Sequence, residues 1–179
     1  MNTWNELKYE AQGEERKRMV QIIEQLIGEK AVYLRTPTCS YENNDGTLTI
    51  ELPKDSMPET ALANLDRLIE GKGNLIRKAI GVDNLSYEIT EDRVRFLWFQ
   101  LTGNVDEATA YTRFITKLLK RAQTAKRVTL KGKRVENEKY AFRCFLLRLG
   151  FIGDEYKTAR KILLKNLYGN SSWKNGQSE

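Results

Sequence analysis

The order of helical and strand patterns constrains the fold of this chain more than any other feature of its sequence. Amphipathic helical patterns over 13–28 and 61–80 are each followed by a pair of predicted strands, and a third helical pattern covers 106–126. Turn-forming residues join the strands of each pair, which favours hairpins. Helices that alternate with hairpins rather than with single strands indicate an antiparallel α+β fold.

The first predicted hairpin is centred on the turn sequence Asn-Asn-Asp-Gly at 43–46, with an extended segment over 31–41 before it. After the turn, the segment Thr47–Leu52 alternates between apolar residues and polar ones such as Thr49 and Glu51. Strict alternation is typical of a strand with one buried and one solvent-facing side. We therefore expect a half-buried strand here.

The second predicted hairpin pairs Ser86–Thr90 with Arg93–Phe99. Alternation places Phe96 and Trp98 on one face, where a sheet covered by helices buries them. Aromatic residues on an open sheet surface would instead stack on the bases of a single strand. We favour the core position for this aromatic run.

The second helical pattern contains Gly71 and Gly73, which are candidate positions for a kink. A lysine stands between them, and glycines beside a lysine occur in phosphate-binding loops. The spacing of such a loop is missing and the residues lie inside a helical pattern, so we predict no phosphate loop here.

The composition changes after residue 125, where a basic strip at 126–134 precedes two short helical patterns at about 138–149 and 154–167. Gly150 and Gly153 bound the connection between these helices. The pair has the outline of a helix-turn-helix, in which Arg160, Lys161 and Lys165 would read the major groove. A plain helical hairpin packed on the sheet has the same outline, and we favour it.

Together these patterns predict an α+β fold with an antiparallel sheet of about four to five strands, in two hairpins, packed with three helices. This α+β domain covers 1–125. The basic strip and a basic C-terminal helical hairpin occupy 126–168, and a flexible tail follows over 169–179.

Residue composition excludes much ordinary catalysis. The chain has no histidine and only two cysteines, Cys39 and Cys144, which rules out an imidazole metal site, a four-thiolate zinc site and the usual nucleophile–histidine pairs. We expect both cysteines to be reduced and buried. Carboxylates beside a lysine occur at Glu51, at Asp66 with Glu70, and at Glu136 with Glu138, but none has the arrangement of a magnesium nuclease. We expect surface charges, no cofactor and no catalysis.

Charge is strongly polarised along the chain. Residues 1–110 contain 13 basic and 19 acidic residues, whereas residues 111–179 contain 17 basic and 5 acidic residues. A basic half of this kind is typical of proteins that contact a nucleic-acid backbone. The predicted phosphate-contacting residues are Arg113, Lys117, Lys120, Arg121, Lys126, Arg127, Lys131, Lys133, Arg134, Arg160, Lys161 and Lys165.

Three stretches carry a resemblance to a known family. These are GEERKRMVQIIEQLIGEKAVYLRTPTCSY, DGTLTIELP with ETALANLDRLI, and above all the stretch from KRVTLKGKRVENEKYAFRCF to NLYGNSSWKNG. They resemble a family of Firmicutes proteins, labelled virulence-related, that phages and mobile elements carry. The resemblance implies no characterised activity and no catalytic residue. It implies mobile-element cargo, a group that includes anti-restriction and anti-CRISPR inhibitors.

From these observations we expect a cytoplasmic protein without a membrane partner, because the sequence has neither a long apolar run nor a signal peptide. The leading hypothesis is a non-enzymatic protein that binds nucleic acid, with DNA preferred to RNA, or a host nucleic-acid-processing protein in complex with it. It would inhibit a host defence nuclease. Two alternatives stay open: a protein-interaction module or charge-paired homodimer that uses the acidic half, and a magnesium-dependent nuclease.

Overall fold

The computed structural model describes residues 39–42, 45–104, 106–128 and 135–172. These residues belong to a single compact unit. The helix predicted at 13–28, the part of the extended segment predicted at 31–41 that precedes Cys39, and the tail from Trp173 onward lie outside the described residues.

The described chain contains helices and strands in mixed order, with two short 3-10 helices at Lys54–Ser56 and Asp154–Tyr156. In chain order the main elements are β1 (Cys39–Glu42), β2 (Thr47–Pro53), α1 (Glu59–Ile80), β3 (Tyr87–Ile89), β4 (Arg93–Gln100), α2 (Glu107–Thr124), α3 (Glu138–Arg148) and α4 (Lys157–Leu164).

The strands form one antiparallel sheet in the order β1-β2-β4-β3. Both hairpins of the sheet are formed by neighbouring strands, and β2 pairs with β4 to join them. Helix α1 packs against α2, and α2 packs in turn against α4. The predicted α+β class with an antiparallel sheet is confirmed.

Strand β4 is irregular at its centre. Ile50 pairs with Phe96 and Leu48 pairs with Phe99, so between these two pairs one residue of β2 is opposite two of β4. An extra residue of this kind is a β-bulge, which changes the side to which the following side chains point. The bulge explains why Phe99 is buried together with Phe96 and Trp98, whereas simple alternation predicts only the last two in the core.

Strand β2 differs from its prediction because five consecutive residues are buried. Thr49 is 3% exposed and Glu51 is 7% exposed, so the polar side of the strand does not face solvent. The Glu51 carboxylate accepts a hydrogen bond from Arg95 Nε at 3.0 Å. Ion pairing with Arg95 therefore compensates the burial of this charge, and the prediction of a half-buried strand is wrong.

Helix α1 continues through the candidate kink positions Gly71 and Gly73 without a break in its helical conformation. Neither glycine adopts a positive φ. The helix ends where Gly81 takes the left-handed conformation at φ 75°, and the amides of Gly81 and Val82 both donate to the carbonyl of Arg77. Glycine is favoured at this helix end because few other residues adopt the left-handed conformation.

Helix α2 buries the apolar stripe predicted for it, from Tyr111 to Ala122. The ring of Tyr111 stacks on Phe99 of β4 with 4.5 Å between centroids, which fixes the helix on the sheet. Helix α3 begins where predicted, because the Asn137 side chain accepts a hydrogen bond from the amide of Tyr140. Cys144 of α3 is a free thiol that is partly exposed rather than buried.

Candidate functional site: a basic cleft

The structure describes nine of the twelve predicted phosphate-contacting residues. Lys131, Lys133 and Arg134 lie outside the described residues. Four of the nine make contacts within the fold, and five are exposed at the surface. The four are Arg113, Lys117, Arg160 and Lys165. The five are Lys120, Arg121, Lys126, Arg127 and Lys161.

Lys165 forms an ion pair with a fully buried carboxylate. Its Nζ lies 2.7 Å from Oε1 of Glu107, and Glu107 also accepts from the amide and the hydroxyl of Thr102 at 2.7 and 2.8 Å. Burial alone would raise the pKa of the Glu107 carboxyl, but the hydrogen bonds from Lys165 and Thr102 outweigh it and lower the pKa. Lys165 therefore joins the end of α4 to the start of α2.

Arg160, Arg113 and Lys117 surround the connection between α3 and α4. One guanidinium nitrogen of Arg160 donates to the carbonyls of Phe151 and Gly153 at 2.8 and 3.0 Å. Arg113 donates to the carbonyl of Glu155 at 3.1 Å. Lys117 Nζ lies 4.6 Å from the ring centroid of Tyr156 and 5.6 Å from that of Phe151, within the range of cation–π attraction.

These contacts argue against the helix-turn-helix interpretation. It requires Arg160, Lys161 and Lys165 to reach base edges. Arg160 instead binds backbone carbonyls, and Lys165 is paired with Glu107. Of these three residues, Lys161 is the one that is exposed and makes neither of these contacts. The α3–α4 pair is therefore better described as a helical hairpin whose connection is held by its own basic residues.

A buried asparagine determines where the chain goes after α2. Asn64 of α1 is 2% exposed and its Nδ2 donates to the carbonyls of Ala122 and Ala125 at 3.1 and 2.7 Å. Its Oδ1 accepts from the amide of Val128 at 3.1 Å. Three hydrogen bonds to one side chain fix the end of α2 and the following turn against α1. The position of Arg127 depends on this attachment.

A cleft of about 260 Å³ opens beside this attachment. Helix α1, the end of α2, the turn after it and α3 all contribute to its wall. The lining residues are Arg67, Leu68, Gly71, Lys72, Arg121, Arg127, Val128, Phe145, Arg148 and Leu149.

The cleft is basic and has an apolar floor. Five of its lining residues are Lys or Arg, and no described lining residue is acidic. Within the described part of the chain, the side chains of these five make no ion pair or hydrogen bond. The floor is formed by the largely buried Leu68, Phe145 and Leu149 with the partly buried Val128. Cations that converge without internal anions form a site for an external anion.

Sequence analysis identified only part of this cleft. Arg121 and Arg127 are among the predicted residues, whereas Arg67, Lys72 and Arg148 are not. The glycines beside Lys72 lack the spacing of a phosphate loop, so the sequence does not predict Lys72 as a phosphate contact. The signal that was available on α1 is the i,i+4 spacing of Arg67 with Gly71 and of Leu68 with Lys72, which places the members of each pair one turn apart on the helix surface.

The acidic residues near the cleft in sequence belong to other contacts. Asp66 and Glu70 line a separate groove of about 380 Å³. There the hydroxyl of Tyr87 donates to Asp66 at 2.8 Å, and burial together with this bond raises the pKa of Tyr87 to about 12. Glu138 is paired with Lys78 on α1. Helix α1 thus separates a basic cleft from a groove that is lined by two carboxylates and one arginine, Arg77.

Among the described residues, no cluster of three or more acidic or sulfur-bearing side chains is arranged to hold a metal ion. No described helix combines the length and the apolar character that a membrane crossing requires. Comparison of the chain with family models, with curated proteins and with solved structures found no match. The chemistry of the cleft therefore carries the functional argument.

Proposed function

We propose that this protein binds nucleic acid through the basic cleft and the exposed cations beside it, without catalysing a reaction. The observation that supports the proposal is that one cleft is lined by five basic side chains that have no ion pair with any residue the structure describes. Four of the five are arginines, whose planar guanidinium groups donate two parallel hydrogen bonds to phosphate oxygens. A site of this composition suits a polyanion better than a neutral ligand.

Neighbouring charges extend the surface beyond the cleft. Lys120 and Lys126 are exposed next to the lining residues Arg121 and Arg127. The chain then continues into Lys131, Lys133 and Arg134, which we include in the proposal on sequence grounds. Several contiguous cations can neutralise several successive phosphates, and this displaces counterions and makes binding strongly dependent on salt.

The biological role that we propose is that of mobile-element cargo that engages DNA, or a host nucleic-acid-processing protein bound to it, and thereby inhibits a host defence nuclease. The family resemblance described above supports this part of the proposal, and DNA is accordingly the first probe.

The test is a fluorescence-anisotropy titration of the protein with labelled single-stranded DNA, duplex DNA and duplex RNA at several salt concentrations. We expect Arg121→Gln, Arg127→Gln and Arg148→Gln each to weaken binding of every DNA sequence and to lower the salt slope by about one. Lys54→Gln is the matched control, because Lys54 is exposed and lies in the acidic part of the chain.

Three results would contradict the proposal. Absence of DNA binding at low salt would mean that the cleft serves another anion, and preference for duplex RNA would change the proposed nucleic acid. Salt-sensitive self-association without nucleic-acid binding would favour the charge-paired homodimer.

A further inference from the structure

We propose that the basic cleft binds a single nucleotide through a terminal phosphate monoester, so that the protein recognises the phosphorylated end of a DNA strand. This inference rests on the proposed function and specifies what enters the cleft. The size, the charge and the apolar floor of the cleft each support this inference.

Size limits the occupant to about one nucleotide. The volume of 260 Å³ lies just below the range of roughly 300–1,000 Å³ that is typical of small-molecule pockets. A duplex is far wider than such a cleft and would contact only its rim. A nucleotide at a strand end is not confined between neighbours on both sides, and it can enter a concave site that excludes the continuous duplex.

Charge favours a monoester over a diester. Each internal phosphodiester of DNA carries one negative charge, whereas a terminal monoester carries about 1.5 to 2 at neutral pH and has three strong acceptor oxygens. Five cations converge on a space that holds one or two phosphates. This excess of positive charge is better matched by the more highly charged terminal group.

The apolar floor provides a surface for the sugar and the base. Leu68, Phe145 and Leu149 are 6–8% exposed, so each retains a small accessible area at the cleft. A surface that contacts only the outer side of a DNA backbone has no use for an apolar floor between its cations. Base contact with apolar and aromatic side chains is, in contrast, the usual mode of single-strand recognition.

Gly71 allows the inference to be tested without removing a charge. It lines the cleft in the interior of α1, has helical φ, and leaves the wall without a side chain at that point. Replacement of an interior helical glycine by a better helix former favours the helix itself. Gly71→Leu would therefore fill the cleft while all five cations remain.

The experiment compares single-stranded DNA oligomers of one sequence that carry a 5′-phosphate, a 3′-phosphate or only hydroxyl ends, with a free nucleoside 5′-monophosphate as a separate ligand. We expect a phosphorylated end to bind about tenfold more tightly or better, the effect of one additional charge-assisted hydrogen bond. Gly71→Leu should abolish this difference. It should also weaken binding of the hydroxyl oligomer, because Gly71 lines the cleft, and the binding that remains through the exposed cations beside the cleft should stay salt-dependent. Gly71→Ala is the milder variant in case the leucine perturbs the fold.

The outcomes separate the two proposals. Equal affinity for phosphorylated and hydroxyl strands would overturn the inference while nucleic-acid binding stands. Binding of the free monophosphate but of no oligomer would support the cleft as a nucleotide site and overturn the proposed nucleic-acid function. A Gly71→Leu protein that folds and still discriminates strand ends would show that the end binds elsewhere and would overturn the inference.

Discussion

Asn64 and Val128 are 64 residues apart in the chain, yet the side-chain oxygen of Asn64 accepts a hydrogen bond from the backbone amide of Val128 at 3.1 Å. The same side chain binds the carbonyls of Ala122 and Ala125. One buried amide thus connects α1 to the turn that carries Arg127, and so links two sides of the basic cleft.

Replacement of Asn64 is expected to disrupt this attachment. Asn64→Ala leaves two backbone carbonyls and one amide without their partner, and we expect the free energy of unfolding to fall by about 2–4 kcal/mol. Urea denaturation followed by circular dichroism measures the change. Gln123→Ala is the control, since exposed Gln123 makes one hydrogen bond, to the carbonyl of Ser56. Equal losses of unfolding free energy for the two variants would contradict the conclusion that Asn64 is a main attachment between α1 and this turn.

Two neighbouring residues on α2 distinguish a cleft from a uniform basic surface. Arg121 lines the cleft, whereas Lys120 is exposed beside it and is not among the lining residues. We expect Arg121→Gln to weaken single-stranded DNA binding several-fold more than Lys120→Gln, because the cleft concentrates charge around one phosphate. Anisotropy titrations at one salt concentration measure both. Similar losses would mean that DNA contacts α2 along its whole outer face.

Lys165 is expected to affect stability rather than binding. Lys165→Met leaves the carboxylate of Glu107, which is 0% exposed, without its counter-charge. Because the lysine side chain is itself 39% exposed, solvent screening moderates the loss, and we expect about 1–3 kcal/mol. Lys161→Met on the same helix is the control, with a change within about 0.5 kcal/mol. A lower salt slope of DNA binding for Lys165→Met would restore Lys165 as a phosphate contact.

The lowered pKa of Glu107 implies an acid-sensitive fold. A carboxyl whose pKa is lower in the folded chain stabilises the fold above its unfolded pKa, and this contribution disappears as the pH falls through the folded pKa. The ordinary value is 4.5, so the free energy of unfolding should decrease below pH 4.5. Urea denaturation across this window, compared with Glu107→Gln, should show a shallower decrease for the variant. An identical pH profile for the two proteins would show that Glu107 does not cause the loss of stability in acid.

Replacement of Arg160 tests whether this residue holds the connection between α3 and α4 in place. Arg160→Lys keeps the charge but loses the guanidinium nitrogen that donates to both Phe151 and Gly153. We expect faster amide hydrogen exchange over 151–156 and little change in DNA affinity. Lys157→Arg, at an exposed position of the same helix, is the control. A loss of DNA affinity in Arg160→Lys that differs between DNA sequences would instead favour the helix-turn-helix interpretation.

Local sequence patterns were sufficient to predict most of the helices and strands that the structure describes. The stripes of α1 and α2 and the second hairpin follow from periodicity, which depends only on neighbours along the chain. Phe99 was missed because a bulge in β4 changes the alternation, and bulges have no reliable sequence signal. The burial of Thr49 and Glu51 was missed because alternation does not reveal whether the polar face of a strand is covered.

The cleft was harder to predict than the fold. Arg67 and Lys72 lie in the acidic part of the sequence, and Arg148 lies at the end of a mixed helix, so net charge along the chain did not single them out. They join Arg121 and Arg127 only because α1, α2 and α3 pack together. In contrast, Arg160 and Lys165 belong to a visibly basic helix but have partners within the fold. Charge density in sequence and accessible charge in space are different quantities.

The separation of the two grooves by α1 has a consequence for the approach of a ligand. Asp66 and Glu70 line one groove while Arg67 and Lys72 line the cleft, although all four lie within seven consecutive residues. Opposite charges on two sides of one helix create a transverse electric field. A polyanion that diffuses toward the protein is drawn to one side and repelled from the other, so it is oriented before it makes contact. Under the proposed function, the helix that supplies part of the cleft would therefore also accelerate productive encounters with DNA.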